Sequence, residues 1–235
     1  MREIIRNEED VLNMLDALLK EKATFQWDAF YGNRERNVPF FKDAPDENLK
    51  SYFERGIILP CSSLELGCGP GRNAFFLEEQ GCKVDAIDSS EEAIAWAKAR
   101  AGKKESLVAF YCENIFGTEI IEKQYGLVYD SGCFHHIPPH RRGNYMELIN
   151  KALAPGGHFG LVCFMVDGTY GGSSQSDWDV YRQYSMQGGM GYTEASLKDI
   201  FSFLEVVEMK PMKDVGNNPS MFGVDGLWTA LFAKK

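Results

Sequence analysis

From about residue 61 onward, short apolar runs of strand length alternate with stretches in which apolar positions recur every three or four residues. The runs fall at 64–66, 83–87, 107–111, 126–129 and 158–164, and the spacing predicts helices between most of them. One predicted helix covers 73–80 and ends at Gly81, which supplies a left-handed cap. A second covers 90–100; Ser89 and Ser90 open it, and Glu91 and Glu92 complement the helix dipole in its first turn. A third runs over 139–152, with Tyr145, Leu148, Ile149 and Leu153 on one stripe before the Pro155-Gly156-Gly157 turn. Strand and helix in repeated alternation predict a parallel sheet with right-handed crossovers. The tail reads differently: 203–209 and 227–233 are β-rich and joined by a loop, which predicts an antiparallel pair closing the sheet edge. Ahead of the sheet, Val11, Leu12, Met14, Leu15, Leu18 and Leu19 share one helical face, and a helix packed on the core is expected.

Composition narrows the class of partner. The chain has 235 residues, 44% hydrophobic and 25% charged, which suits an ordinary globular protein with one sizeable core. A single domain is expected, with a helical, substrate-side extension over 1–59, a cofactor-binding core over 60–165, an inserted loop or lid over 166–192, and a closing helix and strand pair over 193–235. No apolar run reaches the roughly 18 residues of a membrane span. The opening MREIIRNEED carries acids where a signal peptide has its apolar stretch, so a cytoplasmic location without a membrane partner is expected. Six cysteines are scattered singly, without the paired spacing of a zinc site, and are read as reduced and mostly buried. A formal net charge of −9 disfavours a broad nucleic-acid surface and leaves a small molecule as the expected partner.

The chemistry concentrates at LELGCGPGRN, where Gly67, Gly69 and Gly71 follow the first predicted strand and precede a helix. A turn so bare lets a ligand approach the backbone closely, with helix N-terminal amides facing it. The spacing departs from the dinucleotide fingerprint by placing Arg72 where a small residue packs, and it lacks the Gly-Lys-Ser/Thr ending of a phosphate loop. Asp88 ends the next strand about 20 residues on, where a carboxylate accepts hydrogen bonds from both hydroxyls of a ribose. The third strand ends in Glu113, Asn114 and Ile115, two polar groups and an apolar face suited to a base.

These motifs together resemble the class I S-adenosylmethionine-dependent methyltransferases. LELGCGPGRN is similar to their first motif, with Glu65 as its acid and Cys68 inside its glycine turn; AIDSS is similar to their ribose-binding strand end, CENI to the adenine-side turn, and LVYDSGCFHHI to the segment after strand four. The resemblance covers about residues 60–165. It implies a Rossmann-like α/β fold: a seven-stranded, mostly parallel sheet in the order 3-2-1-4-5-7-6, strand seven antiparallel, with helices on both faces. It also implies S-adenosylmethionine as cofactor. Gly67, Gly69 and Gly71 would face the methionine part, Asp88 with Ser89 the ribose, Glu113, Asn114 and Ile115 the adenine, and Asp130 and Ser131 the methionine end. The family more usually has Asp followed by a hydrophobic residue at the adenine side, so Glu113-Asn114 is a departure. The segment WDAFYGNRERNVPFF resembles the substrate side of small-molecule members, including the tellurite-resistance and thiopurine type, and an arginine there, Arg34, would pair with the cofactor's carboxylate.

A sulfonium is already an activated electrophile, so methyl transfer requires mainly alignment, plus a base where the nucleophile arrives protonated. His135 and His136 are the candidate catalytic residues, and in an extended segment only one of them would face a pocket. Cys133, His135 and His136 do not have a recognised metal spacing, and no metal is expected. The Asn/Asp-Pro-Pro-aromatic tetrad of amino-methylating nucleic-acid enzymes is absent after strand four. The loop over 166–192 is long and Gly/Ser-rich; Trp178, Tyr181, Tyr184, Met186, Met190 and Tyr192 are its candidates for a pocket lining or lid, and the 211–226 loop for the opposite rim. The expected function is methyl transfer to a small-molecule acceptor. The competing readings are a nicotinamide-dependent oxidoreductase and an S-adenosylmethionine-binding regulatory protein without transfer activity.

Overall fold

The computed structural model describes residues 4–22, 25–36, 38–119 and 124–235. Among the described residues, seven strands form one sheet: β1 (Ser62–Leu66), β2 (Lys83–Asp88), β3 (Ala109–Cys112), β4 (Tyr125–Ser131), β5 (Leu153–Phe164), β6 (Glu205–Pro211) and β7 (Leu227–Ala233). Their order is β3-β2-β1-β4-β5-β7-β6, as the resemblance implies. β3 to β5 pair in parallel, while β7 runs antiparallel to both β5 and β6. Apolar residues divide into two cores because a parallel sheet is covered on both faces. One core joins the sheet to α6 (Arg142–Ala152) and α8 (Glu194–Ile200) through Tyr145, Leu148, Ile149 and Leu197. The other joins it to α3 (Glu47–Glu54), α4 (Arg72–Glu79) and α5 (Glu91–Lys104) through Leu49, Tyr52, Phe75, Leu77 and Ile94.

The register places the ends of three strands side by side. Leu66 pairs with Ile87 on one side and with Asp130 on the other, so β1, β2 and β4 all stop on one edge, where strand order reverses. That reversal opens a crevice at the carboxyl ends of the strands.

Three expectations are corrected. The third strand starts at Ala109 rather than 107, and Leu107 lies exposed. The helix predicted over 139–152 begins as a separate 3-10 turn, Pro139–Arg141, before α6. The N-terminal helix α1 (Glu8–Lys22) fully buries none of its residues, although Leu19 packs against the core. Polar contacts attach the rest: Arg141 donates to Glu9, Asn13 and Asp16 at 2.6 to 2.9 Å, and His140 Nε2 lies 2.8 Å from Asp16 Oδ1. Its acidic face therefore decides where it docks, and its apolar stripe stays only half covered. Among the described residues, no helix is long and apolar enough to cross a membrane.

Candidate active site

The glycine turn joins β1 to α4, and its amides are already used within the protein. Cys68 N–H donates to Ile87 O at 3.0 Å, Gly69 N–H to Asp88 Oδ2 at 2.9 Å, and Gly71 N–H to Cys68 O at 3.0 Å. The three glycines have φ of +61°, +52° and +82°. Side chains of the protein also crowd them. A Cβ on Gly67 would lie 2.6 Å from Cys133 Cβ, one on Gly69 3.0 Å from the Tyr31 hydroxyl, and one on Gly71 2.8 Å from the Phe110 ring. The turn is bare because backbone handedness and close packing demand it, and its own Cys68, Gly69 and Gly71 amides are not free for a ligand. Of the three, only Gly67 lines the neighbouring cavity.

That cavity holds about 470 Å³, within the range of small-molecule and cofactor sites. Asp88, at the end of β2, lines it and is nearly buried. Its Oδ2 takes the Gly69 amide and its Oδ1 the Ser90 amide at 2.8 Å, and the Ser89 amide also bonds to it, which fixes the carboxylate in place with acceptor capacity left toward the cavity. Burial raises its pKa above the ordinary carboxylate value despite those amides. Ser89, Glu113, Asn114 and Ile115 line the same side, and Ser131 lines the cavity at the end of β4.

Asp130 does not line the cavity. It is fully buried and spends its oxygens inside the chain, accepting Cys133 N–H at 2.8 Å, Phe134 N–H at 3.3 Å and the Tyr145 hydroxyl at 2.6 Å. Burial pushes it up to about 6. Its role in this geometry is to wind residues 131–136 into a turn, ending in a 3-10 segment, Phe134–His136. In that wound segment both His135 and His136 line the cavity, which corrects the expectation that only one would. His135 Nδ1 accepts the Phe164 amide at 3.3 Å, which assigns the His135 proton to Nε2. Burial holds His135 well below the ordinary imidazole value and pushes His136 down to about 4, so both are neutral at pH 7.

Four further placements depart from expectation. Glu65 is buried behind the turn, away from the cavity, and burial pushes it up to about 8. Cys68 is likewise enclosed, its thiol pushed up by burial. Gly69 and Gly71 lie under Tyr31 and Phe110. Arg34 sits outside the cavity, 3.8 Å from Glu92 and over the Trp96 ring, on the exposed surface. The candidate lid residues are also elsewhere: Trp178 and Tyr184 are exposed, Met190 and Tyr192 belong to the core, and the Tyr181 hydroxyl bonds to His140. Tyr170 is the residue of that loop that reaches the cavity. Burial raises the thiols of Cys133 and Cys163, which keeps both protonated.

Sequence reasoning missed Arg72 as a cavity residue. It forms a buried ion pair with Asp46 at 2.7 Å, donates to Ser131 Oγ at 3.0 Å and Ala44 O at 3.2 Å, and lies over the Phe222 ring. A lone arginine after a glycine turn carries no signal of this, because its partner lies 26 positions earlier in the chain. The remaining wall is aromatic. Trp27, Phe30 and Tyr31 come from α2 (Trp27–Gly32), which Asp28 pins to the start of α5 by accepting the Ser90 hydroxyl at 2.7 Å. Phe40, Phe164 and Phe222 complete it.

Residues 64–157 match the family model described as a methyltransferase domain, and the seven-strand order agrees with that assignment. Residues 64–157 thus resemble a methyltransferase domain, and the sheet has the order implied for the class I S-adenosylmethionine-dependent methyltransferases. A 2-heptyl-1-hydroxyquinolin-4(1H)-one methyltransferase of Mycobacteroides abscessus is 30% identical to it over 127 residues, covering 54% of this chain and 56% of that protein. A tRNA N(3)-methylcytidine methyltransferase of Schizosaccharomyces pombe is 28% identical over 152 residues, 59% of this chain and 58% of that one. The chain spans about half the length of the curated relatives it matches. A solved 1,6-didemethyltoxoflavin-N1-methyltransferase of Burkholderia thailandensis, with 1,6-didemethyltoxoflavin and S-adenosylhomocysteine bound, has a TM-score of 0.65 at 18% identity, over 100% of this chain and 93% of that one. At that identity the likeness shows a shared fold. The match ends at residue 157, so the aromatic wall from α2, the 165–173 turn and the 211–226 loop lies outside the matched segment.

Proposed function

We propose that this chain binds S-adenosylmethionine and transfers its methyl group to a small-molecule acceptor by in-line displacement. The observation that carries the reading is one cavity with two unlike halves: a carboxylate with open acceptor directions beside a polar turn, and an aromatic chamber with two neutral histidines. Asp88 would hold the ribose hydroxyls, Glu113, Asn114 and Ile115 the base, and Gly67 with Ser131 the methionine end. When bound, the cofactor supplies an electrophilic methyl on a sulfonium. The chain's own contribution is to exclude water with the aromatic chamber and to hold the acceptor in line with that methyl.

A dinucleotide fits the same residues poorly. The Cys68, Gly69 and Gly71 amides are occupied, which leaves the turn few backbone donors for a pyrophosphate. The test is calorimetric titration with S-adenosylmethionine and with NAD, followed by S-adenosylhomocysteine formation with a panel of acceptors. Binding of S-adenosylmethionine and not NAD, with product formed from at least one acceptor, is the expected result. Tight binding of NAD alone overturns the reading. Cofactor binding without product from any phenol, thiol, amine or metalloid oxyanion favours the regulatory alternative. A membrane-free, cytoplasmic setting belongs to the same proposal, as does a small-molecule partner rather than a nucleic acid.

A further inference from the structure

The acceptor half of the cavity carries a more specific message. Its rings touch one another in a continuous wall: Trp27 meets His136 edge-on at 4.9 Å, His136 lies 4.3 Å from His135, and His135 stacks on Phe164 at 3.7 Å with an interplanar angle of 26°. Among the described residues lining the cavity, the charged side chains are Arg72, Asp88 and Glu113. Arg72 is neutralised by Asp46 and has spent further donors on Ser131 and Ala44. An anionic acceptor would therefore lose its hydration without gaining a free cation from the side chains of the wall. No side-chain hydrogen bond joins His136 to a described residue, whereas His135 already accepts the Phe164 amide.

We propose that the acceptor is an uncharged, planar aromatic molecule bearing a weakly acidic O–H, N–H or S–H, laid against the wall of Trp27, His136, His135 and Phe164. This rests on the methyl-transfer reading above. The nucleophile's lone pair forms the bond to the methyl carbon while the carbon–sulfur bond breaks and its electron pair goes to sulfur. The neutral His136 ring accepts a hydrogen bond from the acceptor's O–H, N–H or S–H, whose proton leaves to solvent as the methyl transfers, while the Nε2–H of His135 donates to the acceptor's polar edge. Aliphatic amines are disfavoured because they arrive protonated, with pKa near that of lysine at about 10, and an ammonium has no lone pair to offer the methyl carbon. Flat neutral rings gain offset-stacked and edge contacts with such a wall.

The experiment uses the full chain with 2-naphthol and 1-hydroxyquinolin-4-one as planar probes, and n-hexylamine and sodium tellurite as counter-probes. Binding is followed by tryptophan fluorescence quenching, turnover by S-adenosylhomocysteine formation, and cofactor affinity by calorimetry. The planar probes should bind and turn over. Their Kd should rise at least 10-fold in Trp27→Ala and less than 3-fold in Trp27→Phe, with cofactor Kd within 2-fold in both. Planar probes that neither bind nor react in a chain that binds S-adenosylmethionine overturn the proposal, as does faster turnover of the amine or the tellurite. Planar probes that bind to a chain without affinity for S-adenosylmethionine support the ring-wall site and overturn the methyl-transfer reading instead.

Discussion

Replacing Asp88 with asparagine separates the cofactor role of this carboxylate from its structural one. In the folded chain Oδ2 accepts the Gly69 amide at 2.9 Å and Oδ1 the Ser90 amide at 2.8 Å. Asparagine keeps one acceptor oxygen and turns the other into a donor, so one of the two amides loses its partner. Leaving a buried donor unsatisfied costs about 1–3 kcal/mol, partly offset by removing a charge that burial already disfavours. For a chain of this size the melting midpoint should fall by at most roughly 10 °C. The cofactor effect should be separable from this. Two charge-assisted bonds to ribose hydroxyls become neutral ones, a loss of roughly 2–3 kcal/mol together, or about 30- to 150-fold in Kd. Calorimetry with S-adenosylmethionine reads that change directly, and circular dichroism confirms that the variant is folded. The wild type should also lose affinity as pH falls through the raised Asp88 pKa, while the asparagine variant shows no such dependence. A folded Asp88→Asn chain whose cofactor Kd stays within 3-fold of wild type would refute the assignment of Asp88 to the ribose.

Glu65 has a folded pKa pushed up to about 8 and an Oε2 without a hydrogen-bond partner, so the folded chain keeps a proton that the unfolded chain releases near the ordinary value of 4.5. Its stability contribution is complete below about pH 4.5 and is lost as pH rises to about 8, by about 5 kcal/mol at the upper bound. Glu65→Gln should therefore flatten the melting midpoint between pH 5 and 8 and raise it at pH 8; parallel melting curves for the two chains across that window would contradict this. Gly67→Ala puts a methyl 2.6 Å from Cys133 Cβ at a φ of +61°. Urea denaturation should show at least about 2 kcal/mol of destabilisation, of which the backbone share is about 1–2 kcal/mol. Adding Cys133→Gly should recover the steric share alone, and no recovery would show that the close approach is not what requires this glycine.

Much of the fold was legible because its determinants are local. Alternating apolar runs and helical stripes mark the parallel core, and Gly81 and Ser90 sit where caps are needed, with φ +86° at Gly81 and the Ser90 side chain accepting the Ala93 amide. The candidate site was legible in part. Asp88, Ser89, Glu113, Asn114, Ile115 and Ser131 share one cavity with Gly67, because strand ends aligned by register bring residues about 20 apart in the chain to one edge. Asp130 and Glu65 were visible as acids but not as interior ones, since what distinguishes them is which face of the strand end they occupy. The loop aromatics were misassigned because a list of tyrosines and methionines does not say which of them turn inward. Tyr192 went to the core beside Phe134 and Trp178 to solvent, while Tyr170 reached the cavity.

By itself, the sequence determined the alternation of parallel strands and helices, the strand ends and the acid at the tip of β2, because periodicity, caps and short turns act over neighbouring residues; the strand order was implied by the resemblance. Only the tertiary structure decided that Arg72 is neutralised by Asp46, that Asp130 winds the histidine turn, and that rings from α2, β5 and the 211–226 loop close one chamber. The ion pair joins residues 26 positions apart and the chamber rings lie up to nearly 200 apart, while Asp130 bonds within 15 positions and differs only in the burial of its strand end. They depend on which side chains are desolvated together, and no local pattern in the chain records that.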